Sequence, residues 1–394
     1  MYNKQAYSLG AAPNQIRQIF EYGRQQAKLV GEENVFDFSL GNPSIPAPNT
    51  VNKSIHRLLD TESSIRIHGY TSSTGGDQLR EAVARNLSER FGVKAGMQNV
   101  FITCGAAPAL EAVLVALRTE TSEIVGIAPY FMEYRAFSEA NGMKFVLVPA
   151  DMKNFQVNLP ALAEAINENT QAVILNSPNN PSGAVLTKET LCAVAALLTE
   201  RSEQYGHPIY IIADEPYREL VYGGAVVTFI PTIYRNTIVC YSWSKSLSMP
   251  GERIGYVYVP EEATDSRELF LAIAGAARAS GHICAPSLIQ RTVAENINCM
   301  PDLEAYEVNR ALLYEGLRAI GYECVKPDGA FYLFVKTPGG DNSVFCEKAK
   351  AKNLLVVPSE PFGVDGYFRL GYCVSKEMIE RALPVFKAVF EEIA

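Results

Sequence analysis

The sequence predicts an α/β fold built on a doubly wound, mostly parallel β-sheet. Apolar runs of strand length, among them residues 124–127, 145–148 and 238–241, alternate with segments of helical periodicity such as residues 78–85. This alternation is typical of βαβ units, whose helices cover the faces of a parallel sheet. The 394 residues, 48% of them hydrophobic, suffice for a large core and about two or three domains. A long helix at about 287–317 is predicted as the connection to a C-terminal domain.

Composition and charge exclude several classes of function. The net charge of -8 and the pI near 5.3 leave no extended basic face for nucleic acid. The 8 cysteines form no Cys-x-x-Cys pair and the 4 histidines lack metal-ligand spacing, so we expect reduced thiols and no metal site. Residues 1–8 lack a signal-peptide pattern, and no apolar run approaches about 20 residues. We therefore expect a cytoplasmic protein without a membrane partner.

Residues 100–113 (VFITCGAAPALEAV) predict a strand, a tight glycine turn and a helix. The unpaired N–H groups at the start of such a helix, together with the positive end of its dipole, attract an anion. A phosphate fits this description. The glycine and lysine positions of a P-loop or a dinucleotide fingerprint are absent.

A second apolar strand, in residues 173–183, runs into a loop that Pro178 and Pro181 stiffen. Such a loop can hold the amide of Asn180 at a fixed distance from the ring of a ligand. Turns of Asn and Pro are structural in most proteins, so this pattern gains weight only from its neighbours.

Residues 209–217 (IYIIADEPY) predict a buried parallel strand that ends in Asp214. Open α/β sheets bind ligands at the carboxyl ends of their strands. A carboxylate about 4 Å from a protonated pyridine nitrogen, at an effective dielectric constant of about 20, contributes roughly 4 kcal/mol, or about three pK units. Tyr217 and Asn180 could donate to a phenolic oxygen of the same ligand. The alternative is that Asp214 caps a following helix.

Lys245 lies among hydroxyls in residues 242–256 (SWSKSLSMPGERIGY), eight positions before Arg253. An amine can condense with an aldehyde to a Schiff base, while serines and an arginine bind a phosphate dianion. Pyridoxal 5'-phosphate carries both groups. A surface loop with an ordinary ion pair is the alternative, and the motifs upstream favour the cofactor.

In this order the motifs resemble the aspartate aminotransferase superfamily, the fold type I pyridoxal-phosphate enzymes of aminotransferase class I/II. The resemblance extends from Gly41 to Arg369. It implies a three-layer α/β/α large domain at residues 49–290. It also implies a smaller α+β domain formed by residues 1–48 and 291–394.

The resemblance also implies a role for each matching residue. Lys245 is expected to form the Schiff base, Asp214 to contact the ring nitrogen, and Tyr217 and Asn180 to donate to the phenolic oxygen. Phe131 is expected to stack on the ring, with Tyr130 as the alternative register. The expected phosphate ligands are Ser242, Arg253 and the amides of Gly105, Ala106 and Ala107. Lys245, Asp214 and Tyr217 are the expected catalytic residues.

Two further segments belong to the same resemblance. HGYTSSTGG is similar to a family segment whose tyrosine reaches the phosphate of the neighbouring subunit, so Tyr70 implies a homodimer with shared active sites. Residues 362–371 (FGVDGYFRLG) resemble the family's Phe-Gly loop and following strand. This resemblance implies that Arg369 binds the α-carboxylate of the substrate. Asn180 and the backbone of Gly41 are expected to assist.

The implied function is a pyridoxal-phosphate-dependent aminotransferase acting on aspartate or a broad range of amino acids, with 2-oxoglutarate as an acceptor. A carbon-sulfur β-lyase on the same fold is the alternative. A cofactor-sensing regulator would need a DNA-binding domain, for which the stretch before Gly41 is too short. A dicarboxylic donor would require a second cation; Arg278 is the candidate, although a surface salt bridge is the more ordinary role.

Overall fold

The structure is a computed structural model that describes residues 1–11 and 15–393. Its helices are α1 Lys4–Ala11, α2 Gln15–Val30, α3 Asn49–Thr61, α4 Ser64–His68, α5 Asp77–Phe91, α6 Ala106–Leu117, α7 Glu133–Ala140, α8 Leu159–Ala165, α9 Lys188–Tyr205, α10 Trp243–Ser246, α11 Ser266–Ala279, α12 Ser287–Glu295, α13 Leu303–Ile320, α14 Asn342–Ala351 and α15 Lys376–Glu391. Its strands are β1 Phe36–Asp37, β2 Val100–Thr103, β3 Glu123–Ala128, β4 Lys144–Asp151, β5 Gln156–Val157, β6 Thr170–Asn176, β7 Tyr210–Asp214, β8 Thr237–Ser242, β9 Gly255–Tyr258, β10 Tyr332–Lys336, β11 Leu354–Leu355, β12 Val357–Pro358 and β13 Tyr367–Gly371.

The central sheet contains eight strands in the order β2-β9-β8-β7-β6-β3-β4-β5. The pairs β8-β7, β7-β6, β6-β3 and β3-β4 are parallel. Strand β9 runs antiparallel between β2 and β8, and the short β5 runs antiparallel to β4. The predicted α/β fold with a mostly parallel sheet is therefore confirmed.

Helices cover the central sheet on its two faces, which explains why its strands are apolar without interruption. In β7, Ile211 and Ala213 belong to one hydrophobic cluster, whereas Tyr210 and Ile212 belong to another. Successive strand residues point to opposite faces, so both faces of β7 are buried. Local signals bound the covering helices: for α9, the side chain of Thr187 accepts a hydrogen bond from Thr190 N before the first turn.

The carboxyl ends of three adjacent central strands form one polar edge. Strands β6, β7 and β8 end in Asn176, Asp214 and Ser242. Because parallel strands point the same way, these three side-chain positions lie at the same edge of the sheet. The short helix α10, which carries Lys245, starts directly after Ser242.

A second sheet and a separate hydrophobic cluster form the C-terminal part. Strands β10, β13 and β12 make an antiparallel sheet, and β1 pairs with β11 in parallel. The N-terminal segment contacts this part, since Gly371 N donates to Phe38 O at 2.8 Å. The domain boundaries at residues 48/49 and 290/291 stay a prediction.

The prediction of one long helix at 287–317 is wrong. The segment forms α12 and α13, which are separated by residues 296–302. Helix α12 has already ended at Glu295, Pro301 lies in the segment between the helices, and the side chain of Asp302 caps α13 by accepting from Ala305 N. None of the helices in the described ranges combines the length and apolar character needed to cross a bilayer.

Candidate active site

A cleft of about 300 Å³ opens at the carboxyl edge of the central sheet, where the C-terminal part approaches it. Eleven residues predicted from the sequence line it: Gly41, Ala106, Ala107, Phe131, Asn180, Asp214, Tyr217, Ser242, Lys245, Arg253 and Arg369. The lining also contains residues to which the sequence assigned no role: Ile16, Leu110, Asn176, Pro216, Ser244, Pro250 and Tyr332.

The side chain of Lys245 is half-buried and lines this cleft. Its Nζ donates to Gly41 O at 2.6 Å and lies 5.4 Å from the centre of the Phe331 ring. Burial lowers the pKa of Lys245 to about 8, and the positive charges of Arg253 and Arg369 act in the same direction. About one amine in ten is then neutral at pH 7, compared with fewer than about one in a thousand for an ordinary lysine. The neutral form is the one that attacks a carbonyl carbon or accepts a proton.

Asp214 is a buried carboxylate with one satisfied and one unsatisfied oxygen. Its Oδ2 accepts a hydrogen bond from the hydroxyl of Tyr134, whereas Oδ1 is buried without a partner among the described residues. Burial raises the pKa of Asp214 to about 7; the Tyr134 hydrogen bond lowers it and the charge of Glu215 raises it. No helix follows Asp214, because residues 216–219 form turns, so the carboxylate does not cap a helix. An N–H donor or a cation in the cleft would satisfy Oδ1.

Arg369 is a buried cation held by neutral groups. Its Nη1 donates to Asn180 Oδ1 at 3.0 Å and its Nη2 to Ser39 O at 2.6 Å, while Nε is buried without a partner. Among the described residues no acidic side chain forms an ion pair with it. A buried guanidinium without a counter-ion favours a bound anion, and its fork suits a carboxylate. The contact through Oδ1 leaves the Nδ2 hydrogens of Asn180 for an acceptor in the cleft.

The part of the cleft lining near Arg253 has the features of an anion site. Helix α6 starts at Ala106 after Gly105, whose φ of 98° is favourable for glycine. A Cβ atom at Gly105 would lie 2.5 Å from Nη2 of Arg253, so the absence of a side chain admits the guanidinium. Arg253 Nη1 donates to Pro250 O at 2.9 Å, and Ser242 caps α10 by accepting from Ser244 N at 3.2 Å. Ala106 and Ala107, the first two residues of α6, line the cleft, and Gly105 precedes them in the chain.

The structure distinguishes the two candidate registers of the aromatic residue. Phe131 lines the cleft and packs edge-on against Tyr134 at 5.6 Å between ring centres. Tyr130 is buried outside that lining and packs against Phe145 at 5.1 Å. Phe131 is therefore the one of the two that lines the cleft, and its role in ring stacking stays a prediction.

Tyr70 and Arg278 lie on the surface. Tyr70 is 97% exposed in the loop before α5, and Arg278 is exposed near the end of α11. Neither residue lines the cleft of its own subunit. The assignment of Tyr70 to a neighbouring subunit and that of Arg278 to a second carboxylate stay predictions.

Sequence reasoning missed four polar residues of the site: Asn176, Tyr134, Ser244 and Tyr332. Asn176 donates to Asp214 O at 2.8 Å and accepts from Asn180 N at 2.7 Å, so it ties two predicted residues together. Its position at the end of a predicted strand was a usable signal. Tyr332 reaches the cleft, and Tyr134 reaches Asp214, through tertiary packing, for which the local sequence carries no signal. Within residues 1–11 and 15–393, no group of three or more His, Cys, Asp and Glu side chains is arranged to hold a metal ion.

Comparison with known proteins matches this architecture. Residues 33–386 match the family model of "Aminotransferase class I and II". A crystal structure of an aminotransferase from Eubacterium rectale is similar with a TM-score of 0.98 and 49% identity, over 100% of this chain and 99% of that one. The aspartate aminotransferase of Thermus thermophilus in complex with maleate has a TM-score of 0.87 and 26% identity, over 99% of each chain. A probable aspartate/prephenate aminotransferase of Aquifex aeolicus is 32% identical, over 91% of this chain and 92% of its own length.

The fold, with its cleft at the carboxyl edge of the sheet, defines a fold type I aminotransferase, an enzyme that transfers amino groups between amino acids and 2-oxo acids. The chain belongs to the aminotransferase class I and II family. The named relatives are aminotransferases, and they do not favour the β-lyase alternative.

Proposed function

We propose that this aminotransferase uses pyridoxal 5'-phosphate bound in the cleft around Lys245. The observation that carries the proposal is that the amine of Lys245, the unpartnered oxygen of Asp214 and the anion site at the start of α6 face one cavity. The residues fit the group: Asp214 would hold the ring nitrogen, Tyr217 and Asn180 the phenolic oxygen, and Phe131 the ring face. Ser242, Arg253 and the amides of Gly105, Ala106 and Ala107 would hold the phosphate.

Individual residues of the chain then have separate roles in amino transfer. Pyridoxal 5'-phosphate supplies an aldehyde carbon for amines and a protonated ring that accepts electrons. Lys245 Nζ, whose lowered pKa keeps a neutral fraction available, removes the α-proton of the bound amino acid as a general base. The carboxylate of Asp214 would stabilise the positive charge on the ring, and the guanidinium of Arg369 would bind the α-carboxylate of the substrate. Closure of the two parts of the chain around that carboxylate would exclude water.

The proposed donor is aspartate or a broad range of amino acids, and the proposed acceptor is a 2-oxo acid such as 2-oxoglutarate. Relatives named as aspartate, aspartate/prephenate and aromatic-amino-acid aminotransferases support this range. Among the described residues, the cations of the cleft lining are Lys245, Arg253 and Arg369, each with a role above. A second carboxylate would therefore be bound by a residue from outside this lining, for which Arg278 is the candidate.

The proposed assembly is a homodimer in which Tyr70 binds the phosphate in the partner's cleft. Tyr70 is 97% exposed in its own subunit, so its side chain is accessible to a partner. We also propose a cytoplasmic enzyme of amino-acid biosynthesis. The cysteines are free thiols, as expected in a reducing compartment.

A substrate panel tests the proposed activity. The purified protein, supplied with pyridoxal 5'-phosphate and 2-oxoglutarate, is incubated with single amino acids, and 2-oxo acid, glutamate, pyruvate and ammonia are measured. An aminotransferase forms glutamate and the 2-oxo acid of the donor in equal amounts without ammonia. Release of pyruvate with ammonia from a sulfur amino acid would instead favour the β-lyase.

A further inference from the structure

Tyr332 contacts two functional side chains of the cleft at once. It is the first residue of β10 and is 3% exposed. Its hydroxyl lies 3.1 Å from the hydroxyl of Tyr217, and the centre of its ring lies 4.6 Å from Cζ of Arg369. Tyr217 follows β7 of the central sheet, so Tyr332 connects the C-terminal sheet to the residues around Asp214.

The register of the C-terminal sheet fixes the contact with Arg369. Tyr332 of β10 pairs with Gly371 of β13, so Arg369, two residues earlier, is its diagonal neighbour on the same face. The absence of a side chain at Gly371 leaves room for the Leu40 carbonyl, since a Cβ there would lie 2.4 Å from Leu40 O. The register of β10 and β13 places the guanidinium of Arg369 over the face of the Tyr332 ring, where the ring quadrupole attracts a cation.

We infer that Tyr332 is a positioning residue for amino transfer: its ring holds Arg369 for the substrate carboxylate, and its hydroxyl orients the hydroxyl of Tyr217. The inference rests on the function proposed above and adds a residue to it. Tyr332 acts through its two neighbours rather than on the reacting atoms.

A bound ligand determines which of the two tyrosine hydroxyls donates the hydrogen bond between them. Each hydroxyl carries one hydrogen, and either can donate in the protein alone. When an oxygen in the cleft accepts the hydrogen of Tyr217, the bond between the tyrosines persists only if Tyr332 donates. Donation to the oxygen of Tyr217 polarises its O–H group and makes it a stronger donor.

The backbone at Gly41 packs against the Tyr332 hydroxyl and fixes its position. A Cβ atom at Gly41 would lie 1.9 Å from that oxygen, so the hydroxyl occupies the space in which a side chain would stand. The carbonyl of Gly41 accepts from Lys245 Nζ. The hydroxyl of Tyr332 therefore packs between the backbone that holds Lys245 and the side chain of Tyr217.

Two substitutions separate the hydroxyl from the ring. Tyr332→Phe keeps the ring under Arg369 and removes the donor to Tyr217. With pyridoxal 5'-phosphate bound, we expect the pH midpoint of the visible absorption band to rise by a few tenths of a unit, because a weaker donor leaves the phenolic oxygen more basic. We expect kcat to fall about threefold to tenfold with KM nearly unchanged. Tyr332→Leu also removes the ring, so KM for the amino acid should rise at least about fivefold.

Two controls distinguish positioning from a general structural effect. Tyr322→Phe removes another buried hydroxyl of the C-terminal core, which donates to Phe386 O at 2.9 Å, and should leave the midpoint and KM unchanged. In a Tyr217→Phe background, Tyr332→Phe should cause no further shift of the midpoint, because the hydroxyl acts through Tyr217. Thermal unfolding of each variant establishes that it is folded.

The outcomes decide between the parts of the inference. A midpoint in Tyr332→Phe equal to that of the control, or an equal shift without Tyr217, would overturn the role of the hydroxyl. An unchanged KM in Tyr332→Leu would overturn the role of the ring. Absence of the visible band in the unmodified protein would overturn the proposed function itself, and the role of Tyr332 with it.

Discussion

The hydroxyl of Tyr134 donates a hydrogen bond to Oδ2 of Asp214, and it leaves Oδ1 of the same carboxylate buried without a partner among the described residues. The hydrogen bond orients the carboxylate at the end of β7. The unpaired oxygen is available for a ligand, because the desolvation cost of a lone buried oxygen is recovered when a donor arrives. Asp214 is therefore a buried carboxylate in the cleft lining with one oxygen left to accept from a bound donor.

The first prediction concerns stability against pH without cofactor. Burial raises the pKa of Asp214 to about 7 from the ordinary 3.8. Since the folded value is the higher one, the stability that this group contributes is fully present below about pH 4 and is lost as the pH rises through about 7. Asp214→Asn is neutral throughout, so the cofactor-free variant should unfold at a higher temperature than the unmodified protein at pH 8, and at a similar temperature near pH 4. Calorimetry at the two pH values measures this, and a difference independent of pH would contradict it.

The second prediction concerns Asp214 in turnover. Asp214→Asn leaves the phosphate contacts in place but removes the charge that keeps the ring protonated. Proton abstraction from the amino acid should slow by about two decades or more while the cofactor stays bound. Stopped-flow measurement of the half-reaction, with cofactor content determined in parallel, gives the result. An unchanged rate of proton abstraction would show that Asp214 has only a structural role.

The third prediction concerns the substrate carboxylate. Arg369→Leu deletes a charge-assisted fork that contributes about 1.5 to 3 kcal/mol, so kcat/KM should fall at least about tenfold for every amino acid alike. Arg278→Leu is the matched comparison: it should affect dicarboxylic substrates alone, if it affects any. A loss in Arg369→Leu that is confined to dicarboxylic substrates would place Arg369 at the side-chain end of the cleft.

The fourth prediction concerns the shared active site. Lys245→Ala and a disruptive Tyr70 variant should each be inactive alone. In a mixed dimer, one of the two sites has an intact Lys245 and receives an intact Tyr70 from its partner. After unfolding and refolding of equal amounts, about a quarter of the unmodified activity should return, because half of the dimers are mixed and each has one intact site. No recovery, with mixed dimers demonstrated by a tag on one chain, would show that Tyr70 serves its own subunit or none.

Much of the site was predictable because its residues lie next to strong local signals. Asp214 and Ser242 end apolar strands, and Ala106 starts a helix after a glycine turn, so the backbone pattern alone places them at one edge of a parallel sheet. Lys245 follows within three residues of Ser242. Such positions are determined by strand and helix boundaries, which hydrophobic periodicity indicates.

The remainder depends on packing between distant segments. Tyr134 lies 80 positions before Asp214 and Tyr332 lies 115 positions after Tyr217, and no local pattern relates the members of either pair. The error at 287–317 has a different cause. Helical segments lie on both sides of residues 296–302, and Pro301 within that interval is the local signal against one continuous helix.

The fifth prediction concerns Lys245, which we expect to bind the cofactor covalently in this cleft. The protein is saturated with pyridoxal 5'-phosphate, reduced with borohydride, digested and mapped by mass spectrometry. We expect the reduced cofactor to be attached to Lys245, and Lys245→Ala to retain none of it covalently while remaining folded. Attachment to another lysine, or equal trapping by Lys245→Ala, would contradict the account.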